Sequence, residues 1–225
     1  MIRELNIALV GCGNWGKNIA RNLHQMGYLA CIYDSKSNLS EKLSYDYMLP
    51  SFELDKIFEN QNINAIVIAS PAITHKELAT KALKNDKDVF IEKPFCLSLP
   101  DAQKLSKLAA NKNKVLMVGH LLNYHNAFIE MKELIKNGKI GVPQNIRANR
   151  QALGAIRCKE SVIYDLSAHD ISMILSITEE LPIDVNVHSI YHQNNVGPDA
   201  VSVKFTFKTG ATALISLSLI HISEP

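Results

Sequence analysis

The sequence lacks a strong charge of either sign and has no long apolar run. Its formal net charge is +2 over 225 residues, and the basic residues are scattered. A weak, dispersed charge does not favour a nucleic-acid or anionic-membrane partner. No apolar run approaches the roughly 18 residues of a membrane-spanning helix, and the N-terminal residues have no signal-peptide layout. We therefore expect a cytoplasmic protein that binds neither nucleic acid nor membrane.

Cysteines are few and widely spaced. The chain has four of them, at Cys12, Cys31, Cys96 and Cys158, and they form no Cys-x-x-Cys pair. Structural zinc sites and disulfide frameworks need closely or regularly spaced cysteines. The sequence therefore predicts reduced thiols and no metal site.

The first half of the chain alternates short apolar runs with amphipathic segments. Apolar runs predict strands at 7–10, 29–33, 65–69, 89–91 and 115–118. Helical spacing predicts helices between them, at 14–25, 52–59, 74–84 and 100–110. This alternation predicts an α/β domain whose parallel sheet is covered by helices on both faces.

The pattern changes near residue 120, where we place a domain boundary. Helices are predicted at 126–136 and 164–177, and strands at 146–153, 185–191, 200–207 and 211–219. Lys208-Thr209-Gly210 is a hairpin signal between the last two strands. We expect a dinucleotide-binding domain at 1–120 and an α+β domain with a largely antiparallel open sheet at 121–225.

A glycine motif follows the first predicted strand and opens the first predicted helix. Gly11-x-Gly13-x-x-Gly16, with Asn14 and Trp15 inside it, has the context of a dinucleotide-binding turn. Asp34 ends the next predicted strand, where a carboxylate accepts hydrogen bonds from an adenosine ribose and repels a 2′-phosphate. The sequence therefore predicts NAD as cofactor in preference to NADP. The alternative is a tight turn and an unrelated surface aspartate.

Two further groups of polar residues are candidates for chemistry. Glu92-Lys93-Pro94 ends a predicted central strand, at the edge of an α/β sheet where ligands bind; a solvated lysine is the alternative. Asp165 and His169 have the i, i+4 spacing of one helix face, so the carboxylate can orient the imidazole as a base. A helix cap and a structural histidine are the alternative there.

Together these residues resemble the Gfo/Idh/MocA oxidoreductases. The resemblance rests on the glycine motif, Ala69-Ser70-Pro71 with Thr74-His75, Glu92-Lys93-Pro94 and Asp165-x-x-x-His169. It covers the chain to about residue 219. It implies a Rossmann domain, then a domain whose open sheet commonly forms the oligomer interface, and hence a homo-oligomer.

Three segments resemble the nucleotide-sugar branch of that family, namely VGHLLNYHNAF, NRQALGAIR and SAHDISMIL. This resemblance implies oxidation of the 3-hydroxyl of a UDP-N-acetyl sugar, as in UDP-N-acetylglucosamine and UDP-N-acetylglucosaminuronate 3-dehydrogenases. Another sugar, inositol or aldehyde substrate remains open, as does a regulator that binds the dinucleotide without turnover.

The resemblance also implies residue roles. His169 takes the hydroxyl proton, Lys93 stabilises the reacting oxygen and Asp165 orients His169. The residues expected to line the cofactor, besides those of the glycine motif and Asp34, are Ser70, Pro71, His75, Glu92, Lys93 and His120. Those expected to contact the sugar or diphosphate, besides Lys93 and His169, are Tyr124, Asn149, Arg150 and Arg157.

The chain ends within a predicted strand. Thr212 to Ile220 alternates and then runs apolar, whereas members of the family continue with further strands. We therefore expect the second domain to be incomplete. From about Leu217 onward, SLIHISEP resembles translated adapter sequence, so we expect these residues not to be native.

Overall fold

The computed structural model of the chain describes residues 5–151, 163–191 and 198–218, without the side chains of Gln151, Tyr164 and Asp165. The chain divides into two compact units, Met1–Gly119 and His120–Pro225. None of the helices in the described ranges is long and apolar enough to cross a membrane.

The first unit is built on a five-stranded parallel sheet with the strand order β2-β1-β3-β4-β5. Its strands are β1 (Ile7–Val10), β2 (Leu29–Tyr33), β3 (Ala65–Ile68), β4 (Asp88–Ile91) and β5 (Leu116–Val118). Its helices are α1 (Asn14–Gln25), α2 (Ser37–Tyr47), α3 (Leu54–Glu59), α4 (Ala72–Lys84) and α5 (Leu99–Asn111). The predicted parallel α/β arrangement is confirmed.

Both faces of this sheet are buried because helices pack on each of them, and successive strand residues point to opposite faces. Ala8 and Val10 belong to the apolar cluster that contains residues of α3, α4 and α5. Ile7 and Leu9 belong to a second cluster with residues of α1 and α2. The strands therefore read as continuous apolar runs rather than as alternating ones.

The second unit contains a mixed, mostly antiparallel sheet with the order β6-β9-β8-β7. Its strands are β6 (Asn145–Gln151), β7 (Asp184–Ile190), β8 (Ala200–Thr206) and β9 (Thr212–Ser218). Strands β7, β8 and β9 are antiparallel neighbours, whereas β6 runs parallel to β9. The predicted open, largely antiparallel sheet is confirmed, with one parallel pair at its edge.

The helices of this second unit are α6 (Asn126–Lys136) and α7 (Ala168–Thr178), with a short 3-10 helix at Leu121–Tyr124 and a π-helical turn at Ile163–Ser167. Helix α7 and the π-helical turn pack on the sheet. Ile174 of α7 packs in one apolar cluster with Val203 of β8 and Ile215 of β9. This packing fixes α7 against the sheet, and His169 lies near its N-terminus.

One helix was not expected from the sequence. Helix α2 buries only Ser40 and Leu43, and no described side chain caps its N-terminus. With so narrow an apolar stripe, the helical period is weak in the sequence.

Candidate functional site

The glycine turn lies where the strand order of the first sheet reverses. Strand β1 has β2 on one side and β3 on the other, so the loops after β1 and β3 diverge and leave a crevice. Gly11 follows β1 with φ of +105°, and a Cβ there would lie 2.6 Å from the Ala69 carbonyl carbon. Only glycine fits between these two loops.

Gly16 and Gly13 differ in what surrounds them. A Cβ on Gly16 would overlap the carbonyl oxygen of Gly11, so this glycine lets α1 pack closely on the turn. A Cβ on Gly13 would meet nothing within 4 Å. Helix α1 begins at the next residue, Asn14, and no side chain among those described caps its N-terminus. Open space beside uncapped helix N–H groups fits the pyrophosphate of a dinucleotide.

Asp34 follows β2 and is held against the same turn. Its Oδ2 accepts a hydrogen bond from the Cys12 backbone N–H at 2.6 Å, and its Oδ1 accepts one from the Lys36 N–H at 2.8 Å. Burial, helped by the Asp34 charge, raises the pKa of the Cys12 thiol to about 12. Cys12 is therefore a neutral thiol at pH 7, and Asp34 supplies the negative charge at this position.

The Glu-Lys-Pro turn follows β4 at the same edge of the sheet. Glu92 Oε1 accepts a hydrogen bond from Trp15 Nε1–H at 2.7 Å, and its Oε2 accepts one from the Lys93 backbone N–H at 3.2 Å. Burial raises the pKa of Glu92, while the Trp15 hydrogen bond opposes that rise. The carboxylate thus joins the glycine turn to the backbone of Lys93.

His75 contacts both the loop after β3 and the turn after β4. Its side chain is buried, and its ring nitrogens lie 2.8 Å from the Pro94 carbonyl oxygen and 2.9 Å from that of Ser70. The Ser70 hydroxyl pairs with Thr74 at 2.7 Å, and Thr74 in turn donates to the Pro71 carbonyl. A direct contact of His75 with a cofactor would need a ring nitrogen that is already engaged.

In the second unit, two histidines meet. His169 is the second residue of α7 and is buried, and its ring lies edge-on to that of His120, with centroids 6.2 Å apart. Burial lowers the pKa of His120, so this ring is neutral at pH 7 and places no positive charge beside His169. Asp165 lies in the π-helical turn before α7, but its side chain is outside the described part, so its pairing with His169 stays a prediction.

The expected substrate residues of the second unit differ in their surroundings. Arg150 forms a two-pronged pair with Asp170 of α7, from Nε to Oδ2 and from an Nη to Oδ1, both at 2.9 Å. Asn149 is the preceding strand residue, so it points to the opposite face of the sheet. Tyr124 is exposed at the end of the 3-10 helix. Arg157 lies outside the described residues. The sequence had no local signal for the Arg150–Asp170 pair.

Each unit therefore contains its own set of groups. The first unit has an anion-binding turn, a fixed carboxylate and a lysine at the carboxyl edge of a parallel sheet. The second has a pair of histidines, of which His169 is buried, and an ion pair that includes the next residue, Asp170. Among residues 5–151, 163–191 and 198–218, no cluster of three or more His, Cys, Asp or Glu side chains is arranged to hold a metal ion.

Two sequence profiles of one family match the chain. The profile described as "Oxidoreductase family, NAD-binding Rossmann fold" matches residues 5–120. The profile described as "GFO/IDH/MocA C-terminal domain" matches residues 128–224.

Individual relatives carry names that state different reactions. The 2,7-anhydro-N-acetylneuraminate hydratase of Escherichia coli K12 is 33% identical over 61% of this chain and 37% of its own length. The myo-inositol 2-dehydrogenase of Thermotoga maritima is 28% identical over 95% of this chain and 68% of its own length. The structure of UDP-N-acetylglucosamine 3-dehydrogenase GnnA from Acidithiobacillus ferrooxidans matches with a TM-score of 0.88 at 25% identity, over 98% of this chain and 71% of that chain. The chain thus spans 37% to 71% of the length of these relatives.

Proposed function

The chain belongs to the GFO/IDH/MocA family of NAD-binding oxidoreductases, and from that premise we propose that it is an NAD-dependent dehydrogenase of a ring hydroxyl in a sugar or cyclitol. The observation that carries the proposal is the glycine turn at the strand reversal, with open space at Gly13 and Asp34 fixed beside it. This arrangement offers an anion site and a ribose acceptor next to the loop that carries Lys93.

The proposed chemistry divides between cofactor and protein. Bound NAD supplies the acceptor for the hydride that leaves the hydroxyl-bearing carbon. His169 takes the hydroxyl proton, and the neutral His120 ring beside it does not oppose the positive charge that His169 then acquires. Lys93 donates to the reacting oxygen as negative charge develops on it. Asp165 orients His169. Ser70, Pro71 and Glu92 line the cofactor, and His75 supports them.

For the substrate, we propose a UDP-N-acetyl sugar oxidised at its 3-hydroxyl. The GnnA structure matches over 98% of this chain at 25% identity, and the segment resemblances point to the same branch. Arg157 and Tyr124 are the proposed diphosphate and sugar contacts. Arg150 is a poorer candidate for a diphosphate contact than the sequence alone indicates, because its guanidinium already pairs with Asp170.

Inositol is the second candidate substrate, and a specific observation favours it. A cyclitol has no diphosphate, so it needs no free arginine, and the described arginine nearest to His169 in sequence is paired. The myo-inositol 2-dehydrogenase of Thermotoga maritima is 28% identical over 95% of this chain.

NADH formation at 340 nm with a panel of substrates tests the proposal. UDP-N-acetylglucosamine, myo-inositol and 2,7-anhydro-N-acetylneuraminate are each offered to the chain with NAD. We expect turnover with the UDP sugar, and a loss of at least about 100-fold in His169→Ala and in Lys93→Ala. If myo-inositol is the one substrate that is turned over, the UDP-N-acetyl sugar proposal is wrong and inositol takes its place. Tight NAD binding without turnover of any ring hydroxyl contradicts the dehydrogenase role and favours a regulator.

A further inference from the structure

Trp15 lies inside the glycine motif, but the hydrogen-bond acceptor of its indole N–H lies outside the motif. It is the second residue of α1, and its indole N–H donates to Glu92 Oε1 at 2.7 Å, across 77 positions of sequence. The other oxygen of the same carboxylate accepts the backbone N–H of Lys93. One carboxylate thus receives a donor from the dinucleotide turn and a donor from the lysine turn.

The surroundings of Glu92 hold this carboxylate in one place. A Cβ on Gly119, which follows β5, would lie 2.9 Å from Glu92 Oε1 and 3.0 Å from the Phe90 ring. A larger residue at 119 would therefore push the carboxylate out of this position. The titratable groups that act on Glu92 are Lys93 on its own turn and His75 on α4, and both lower the pKa of Glu92 against the rise that burial causes.

The indole N–H, rather than the ring, is the part of Trp15 that this geometry uses. Phenylalanine would fill much of the same space but has no donor for the carboxylate. Without that donor, Oε1 of the half-buried carboxylate loses its charge-assisted hydrogen bond.

We propose that Trp15 is a positioning residue for Lys93, acting through Glu92, and that its indole N–H holds the turn after β1 and the turn after β4 in one arrangement. The importance of Lys93 rests on the proposed dehydrogenase function, whereas the link between the two turns does not.

The first test uses the fact that Trp15 is the single tryptophan of the chain. Its indole N–H gives one cross-peak in a ¹H–¹⁵N spectrum of the whole protein. We expect this peak to move with pH as Glu92 is protonated, with a midpoint above the ordinary glutamate range because burial raises the Glu92 pKa. The movement should vanish in Glu92→Gln. A peak that responds to pH in the same way in both proteins, or in neither, overturns the proposal.

The second test measures whether Trp15 holds the lysine turn. Amide hydrogen exchange of peptides that cover residues 91–97 is compared in the wild type, in Trp15→Phe and in Tyr45→Phe, a control on the exposed ring of α2. We expect exchange in this segment to quicken about tenfold in Trp15→Phe, as the loss of one charged hydrogen bond implies, and to stay unchanged in the control.

A third readout separates positioning from direct cofactor contact. NADH binding is measured by its fluorescence in Trp15→Phe, Glu92→Met and the double variant, because methionine removes both carboxylate acceptors. We expect the double variant to bind no more weakly than the weaker single variant, because both act through one hydrogen bond. The proposal is overturned if the losses of NADH affinity in the two single variants add up in the double variant. It is also overturned if Trp15→Phe loses NADH binding while hydrogen exchange at 91–97 stays as in the wild type, because Trp15 would then act through the cofactor alone. No readout uses substrate, so failed turnover leaves this test intact.

Discussion

Gly13 and Gly16 belong to one motif but lack a side chain for different physical reasons. At Gly13 a Cβ meets only open space, and φ is −64°, a value that any residue adopts. At Gly16 a Cβ overlaps the backbone of Gly11, which cannot move without displacing the turn. The first glycine leaves room for a ligand, and the second leaves room for the protein itself.

We therefore expect opposite effects from two matched substitutions. Gly13→Ala should lower NAD affinity about tenfold, or ~1.4 kcal/mol, yet cost at most about 1 kcal/mol of stability as a poorer N-cap residue. Gly16→Ala should lower the free energy of unfolding by about 3 kcal/mol or more through strain. Calorimetric titration and urea unfolding measure the two quantities. Equal loss of stability in both variants would contradict the assignment.

Asp34 carries the prediction for cofactor choice. Its carboxylate is fixed by the N–H groups of Cys12 and Lys36, so it is placed to accept from a ribose and to repel a 2′-phosphate. Asp34→Ala should weaken NAD binding and lower the ratio of NAD to NADP affinity about tenfold. Parallel titrations with both dinucleotides give the ratio, and an unchanged ratio would show that another residue sets the preference.

The sequence predicts the surroundings of a residue well when its neighbours in space are also close to it along the chain. The glycine motif and Asp34 lie within one β-α-β segment, so their order along the chain was enough to predict where each stands. The partners of Trp15 and Arg150 are Glu92 and Asp170, which lie on other elements, and no spacing rule connects them. Strand alternation does place Asn149 and Arg150 on opposite faces, and the sequence interpretation had grouped them.

The Arg150–Asp170 ion pair connects strand β6 to helix α7, and Asp170 directly follows His169 in that helix. Asp170 is 9% exposed at its side chain, and Arg150 is 35% exposed. Breaking a fully buried pair costs about 3–5 kcal/mol, because one charge is left unpaired. Partial solvent access to Arg150 reduces this cost.

We expect Arg150→Met to lower the free energy of unfolding by about 2 kcal/mol, since it leaves a buried carboxylate without its partner. The double variant Arg150→Met/Asp170→Leu removes both charges and should recover most of the loss. Urea unfolding of both variants measures the difference. A double variant as unstable as the single one would mean that packing of the arginine, rather than its charge, stabilises the unit.

His120, at the start of the 3-10 helix, gives the second unit a dependence on pH. Burial lowers its pKa in the folded protein, so below about 6.5 the unfolded chain binds this proton more readily. Stability should therefore fall as the pH drops from about 6.5 toward the lowered value, and this contribution should vanish above 6.5. Unfolding experiments between pH 5 and 8 should show a shallower acid decline in His120→Phe. An identical decline would assign the acid sensitivity to other groups.

The elements themselves were predictable to different degrees. Helix α6 matches its predicted range of 126–136, and the hairpin at 208–210 joins β8 to β9 as expected. Helix α2 was missed because its apolar stripe is narrow. Propensity alone does not decide such a segment, because packing on the sheet supplies the stabilisation.

For the whole molecule, the sequence predicted both architectures but not every neighbour relation. Apolar strands that alternate with helices predict a parallel sheet with helices on both faces, and the first unit has this architecture. The parallel pairing of β6 with β9 joins strands more than 60 residues apart, and local patterning has no bearing on it. Strand order over such separations is set by the packing of the complete unit.

We expect the first unit to bind NAD through the glycine turn and Asp34. Isothermal titration of the whole chain with NAD and with NADP measures this binding. We expect saturable one-to-one binding of NAD and at least about tenfold weaker binding of NADP, because the Asp34 charge repels a 2′-phosphate. Tighter binding of NADP, or no binding of either dinucleotide by the folded chain, would contradict it.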